Sequence, residues 1–180
     1  MGQSGLSPKL LAALFWVIMF FSAMSGLAQV FIREEETGTA LALKLTADPD
    51  CIYIGKLVFN FVLLSTMTAI VTPLFFVFTD APVDNLPWFL AVLALGVVGL
   101  CGATTLVASI IAKASGKGAL FSVLSFPILM PLLISLVSAT QKTLENAPFS
   151  EFSAELQFLV AYAVVMVTAS LMLFKFVWQE

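Results

Sequence analysis

From Leu10 to Ile32 the chain carries no ionisable side chain, and four further stretches repeat the pattern: 52–79, 86–111, 118–139 and 157–178. A helix needs roughly 20 apolar residues to cross a bilayer's hydrocarbon core, so each stretch is long enough to span. Lys56 and Lys175 are the only Asp, Glu, Lys or Arg residues within them. Both lie near an end, where a long side chain can snorkel to the interface. The stretches are continuously apolar, whereas a closed barrel requires alternation, so the spans are expected to be helices. Hydrophobic residues make up 61% of the 180, with a mean hydropathy of +1.07. No water-soluble domain of this size buries that much apolar surface. The expected fold class is therefore an all-α polytopic membrane protein, a single domain over 1–180 with five transmembrane helices.

Charge then sets the topology. Of eight basic and eleven acidic residues, four stand side by side as Arg33, Glu34, Glu35 and Glu36, directly after the first span. Such a cluster belongs in water, so it reads as a loop whose two flanking helices return to one face of the membrane. Five spans place the termini on opposite sides. One side then collects Arg33, Lys44, Lys56, Lys113, Lys117 and Lys175, leaving Lys9 and Lys142 on the other. The positive-inside rule makes the first side cytoplasmic. The segments 80–85 and 140–156 then face outward. Within the second, Leu144, Phe149, Phe152 and Leu156 alternate with acids and amides, which fits either an amphipathic helix on the outer leaflet or a solvated connector.

Several functions are excluded or disfavoured. The first span is too long for a cleavable signal peptide, and Lys9 alone is a poor basic flank. A net charge of −3 argues against nucleic acid as a partner. Cys51 and Cys101 are fifty residues apart and form no metal or redox motif. The turn Lys113-Ala-Ser-Gly-Lys117 resembles part of a phosphate loop, but Ile111 stands where that loop needs glycine. The chain has no histidine, which removes imidazole acid–base chemistry and histidine ligation of zinc or haem iron. No catalytic residue set and no metal site is expected, and the membrane interior offers no carboxylate for ion-driven transport.

Within the spans, Gly96, Gly99 and Gly102 form a small-residue strip of the kind that lets helices approach closely in lipid. Pro127 and Pro131 stand four apart in the fourth span and Pro73 lies in the second. Each removes a backbone donor, so these helices should bend or break. The prolines are hinge candidates, with a static kink as the alternative. Lys56 and Asn60 share one face of the second span at its cytoplasmic end, either to bind the neighbouring charged segment or to anchor the helix at the interface.

Two segments carry a family resemblance. One is Phe31-Ile-Arg-Glu-Glu-Glu-Thr-Gly-Thr-Ala-Leu41, followed by Gly55, Lys56 and Asn60. The other is Ala112-Lys-Ala-Ser-Gly-Lys-Gly-Ala-Leu120, running into Leu124-Ser-Phe-Pro-Ile-Leu-Met-Pro-Leu-Leu133. Together they resemble the permease subunit of the cytochrome c maturation transporter, the haem exporter protein B family (CcmB), a type-2 ABC transmembrane subunit. The resemblance implies a multi-pass protein of the bacterial inner membrane with no activity of its own, ATP being hydrolysed on a separate cytoplasmic ATPase subunit. It also implies a haem-handling membrane partner and an extracytoplasmic haem chaperone. By the same resemblance Arg33, Glu34, Glu35, Glu36, Gly38 and Lys44 form the segment received by the ATPase, the last part as a short cytoplasmic helix, with Lys56 and Asn60 supporting it. ATP hydrolysis would drive either haem export or release of a haem-loaded chaperone. The rival readings are a type-2 ABC permease for a lipid, polysaccharide or drug, and a membrane scaffold without transport. The family pattern has six spans, which leads to the expectation of one further hydrophobic segment encoded upstream of Met1.

Overall fold

A computed structural model describes the backbone of residues 7–36, 49–79, 85–111 and 117–179, with side chains except at 27–36, 49–50, 108–110, 117–122 and 173–179. Five helices occupy these residues: α1 (Pro8–Glu36), α2 (Pro49–Thr79), α3 (Leu86–Ile111), α4 (Lys117–Leu144) and α5 (Phe149–Gln179). All five are long and apolar enough to cross a membrane.

Local chemistry explains the helix boundaries. Ser7 precedes Pro8 and accepts the Leu10 amide on its hydroxyl at 3.3 Å, an N-cap followed by proline at the first helical position. Pro49 opens α2 in the same way. The α4 helix ends where Asn146 adopts a left-handed conformation with φ 53°. The Ala147 amide then closes onto the Lys142 carbonyl at 2.9 Å and the Asn146 amide onto that of Thr143 at 3.3 Å. Pro148 terminates the turn, and its carbonyl accepts the Glu151 amide at 3.0 Å as α5 begins.

That turn corrects the expected outer loop. The segment 140–156 is neither a surface helix nor a long connector, because α4 runs on to Leu144 and α5 starts at Phe149. Leu144, Phe152 and Leu156 are buried in the bundle, and Phe149 stacks on Trp88 with ring centroids 4.7 Å apart. Of the acids there, Glu145 and Glu151 are exposed and Glu155 is half-buried. Glu155 accepts from Lys142 and, at 2.9 Å, from the Ser138 hydroxyl, while Lys142 also donates to the Glu151 carbonyl at 2.7 Å. The amphipathic spacing is real, but its apolar side faces protein.

The α3 helix is the centre of the bundle and packs against all four other helices. Of its membrane stretch 67% is buried, against 11% for α2. Small residues permit this. Trp16 of α1 lies over Gly96, and Leu136 of α4 closes the other side. Gly99 faces Leu132 of α4, and Gly102 faces Val167 and Met166 of α5. The Trp16 indole is fixed by donating to the Thr140 hydroxyl of α4 at 2.8 Å. Around the outside, large apolar side chains such as Phe21, Val77 and Phe78 are exposed. This is the surface expected of a bundle whose solvent is lipid.

Candidate functional site

The α1 helix has 29 residues, about 43 Å at 1.5 Å per residue, against a ~30 Å hydrocarbon core. It includes Arg33, Glu34, Glu35 and Glu36, which the sequence placed in a loop. Arg and Glu are good helix formers, and no breaker precedes Gly38, so the span continues through the charges. They therefore form the last turn of a helix continuous with the first membrane stretch. Gly38 and Lys44, with the short helix expected there, lie outside the described residues.

Of the two roles expected of Lys56 and Asn60, binding the neighbouring charged segment or anchoring the helix at the interface, their burial disfavours the second. Lys56 is 6% exposed and Asn60 fully buried, both turned into the bundle rather than out to the interface. The described α2 side chains that are fully buried are Ile52, Tyr53, Lys56, Asn60, Leu64 and Thr68, a narrow stripe that is mostly polar. Much of the remainder of α2, including Val58, Phe59, Val62, Ile70, Leu74, Val77 and Phe78, is apolar and exposed. The helix is thus inverted relative to one in water. Lipid receives the hydrocarbon, and the polar groups seek partners on neighbouring helices.

Those partners are specific. The Asn60 side-chain amide donates to the Thr105 hydroxyl of α3 at 2.8 Å. The Ser170 hydroxyl of α5 donates to the Val167 carbonyl at 3.0 Å, which leaves its oxygen to accept the Tyr53 hydroxyl of α2. The Cys101 thiol lies 3.5 Å from the Leu57 carbonyl, a second polar link between α3 and α2. The Asn60 carbonyl oxygen is buried without a hydrogen-bond partner among the described residues. These groups gather at the end of the bundle where α2 begins and α3 and α5 end, the predicted cytoplasmic end. Tyr53, Thr105 and Ser170 escaped the sequence reading. Tyr53, Lys56 and Asn60 at i, i+3 and i+7 were the available signal, since they share a helix face.

Pro73, Pro127 and Pro131 are exposed on the outside of the bundle, and α2 and α4 pass through them without interruption. Neither helix breaks at its prolines. Three residues before Pro131, the Ile128 carbonyl accepts the Tyr162 hydroxyl of α5 at 2.7 Å, which ties α4 to α5. No group of three His, Cys, Asp or Glu residues able to hold a metal occurs among the described residues.

Four apolar spans packed on a small-residue central span, with a charged helical extension at the end of α1, define a multi-pass membrane protein. The family model described as "CcmB protein" matches residues 3–177, and the chain belongs to that family, which serves transport in cytochrome c biogenesis. No curated protein and no solved structure matches the chain.

Proposed function

We propose that this chain is the transmembrane subunit of an ABC-type complex of the bacterial inner membrane that serves cytochrome c maturation. A separate cytoplasmic ATPase docks on the segment from Arg33 to about Lys44. ATP is bound and hydrolysed on that ATPase, and haem is the cargo of the complex, which includes a haem-handling membrane subunit and an extracytoplasmic haem chaperone. This chain turns hydrolysis into helix movement that exports haem or releases the loaded chaperone. Family membership over nearly the whole chain carries the reading. It is supported by the continuity of α1 through Glu36, because a load applied to that charged turn enters the first span without an intervening flexible joint.

Charge reversal of Glu34, Glu35 and Glu36 to lysine tests the proposal. The variant is expected to accumulate in the membrane at the normal level, to lose co-purification of the ATPase, and to stop holocytochrome c production. Normal holocytochrome c from that variant refutes the docking role.

A further inference from the structure

The α2 helix begins at Pro49, directly after the segment proposed to receive the ATPase, and its N-terminal half makes two short side-chain hydrogen bonds to other helices, while Thr68 further on makes a weaker one to the Met19 sulfur of α1 at 3.9 Å. Tyr53 reaches α5 at Ser170 and Asn60 reaches α3 at Thr105. Beyond Thr68 no side chain of α2 is fully buried. The helix is therefore tied by polar contacts towards its predicted cytoplasmic end and packs through partly buried apolar side chains such as Val71 and Phe75 along the remainder. We infer that the pairs Tyr53–Ser170 and Asn60–Thr105 form a polar key through which α2 passes displacement of the 33–48 segment to α5 and α3. This rests on the ATPase-docking reading above.

The physical argument concerns direction. Apolar side chains in lipid slide past one another at little cost, because hydrocarbon replaces hydrocarbon. A buried hydrogen bond permits no such sliding, since no water is present to replace a lost partner. Rotation or translation of α2 by a fraction of a turn must therefore carry Ser170 and Thr105 along, or exchange their hydrogen bonds for others. Asn60 has a means of exchange, because its carbonyl oxygen is buried and unpartnered among the described residues. A shifted arrangement can use that acceptor, which gives the key two discrete settings.

The experiment replaces both members of each pair by apolar groups of similar shape, since this removes direction while leaving little unsatisfied. The variants are Asn60→Leu with Thr105→Val, and Tyr53→Phe with Ser170→Ala, each purified as the complex with its ATPase. Both are expected to retain ATPase co-purification and ATP hydrolysis, while holocytochrome c produced per ATP falls about tenfold. Thr105→Ser keeps the hydroxyl and is expected to stay within about twofold of the unmodified protein. Normal yield per ATP in both double variants overturns the inference. So does a fall in yield that merely tracks loss of protein or of bound ATPase, because that marks a packing role. If Asn60→Leu with Thr105→Val does not accumulate, the milder Tyr53→Phe with Ser170→Ala variant decides by the same criteria. Failure of the docking reading is separately visible, as co-purification that survives reversal of Glu34, Glu35 and Glu36.

Discussion

A single methyl group at position 96 should loosen three helices at once. A Cβ built on Gly96 falls 2.8 Å from Cζ3 of Trp16 and 2.9 Å from Cδ2 of Leu136, inside any real carbon–carbon contact. Trp16 cannot yield freely, because its indole nitrogen is tied to Thr140 at 2.8 Å within the buried core. Overpacking by a methyl in a well-filled core costs about 1–3 kcal/mol. Displacing the indole adds the loss of an interhelical hydrogen bond, about 0.6 kcal/mol on average in a membrane protein. Gly96→Ala should therefore destabilise the bundle by about 2–4 kcal/mol. At 2–4 °C per kcal/mol for a chain of this size, the melting temperature in detergent should fall by roughly 4–16 °C. The assay is thermal unfolding followed by tryptophan fluorescence or by loss of monodisperse protein, with Trp16→Phe as the second arm of a double-mutant cycle. The smaller ring makes room for the methyl, so Gly96→Ala should cost much less in the Trp16→Phe background. An unchanged melting temperature, or the same loss in both backgrounds, refutes the proposed clash.

Two more substitutions probe the helix contacts. Tyr162→Phe removes the hydroxyl that serves the Ile128 carbonyl and should cost about 1 kcal/mol in thermal stability. An unchanged melting temperature would mean that this bond contributes nothing to the α4–α5 contact. Glu155→Leu strands the partly buried Lys142 ammonium and should cost about 1–2 kcal/mol, read as faster hydrogen exchange across the 138–155 hairpin. Adding Lys142→Met should recover most of that loss, and a failure to recover would mean the pair does not interact.

The number and kind of helices were legible because lipid imposes one simple demand, an apolar run of sufficient length. The connection between α4 and α5 was not. Glu155 is satisfied by Lys142 and Ser138 on the preceding helix, a pairing with no local signature. The burial of Lys56 was not legible for a related reason. A lysine near a span's end can reach the interface, and whether it does depends on the neighbouring helices. The polar seam on the same face of α2 is built from Asn60, Thr105, Tyr53 and Ser170, residues scattered over three runs. The charged turn was placed correctly after the first span but assigned to a loop, since charge composition reports hydration and says little about backbone continuity. The glycine strip could be read as a contact surface, but not that its three glycines serve neighbours on three different helices.

The position of α3 at the hub also makes the order of synthesis an order of assembly. When α1 and α2 have entered the bilayer, the polar groups on α2 that α3 and α5 will satisfy are still unmatched. At about 5–20 residues per second, the stretch from Thr79 to Ile111 takes on the order of seconds to emerge. For that interval Asn60 waits in hydrocarbon for Thr105. A nascent hairpin in this condition is the form of the protein most open to capture by an insertase, or to degradation; arrival of α3 matches Asn60, and arrival of α5 matches Tyr53.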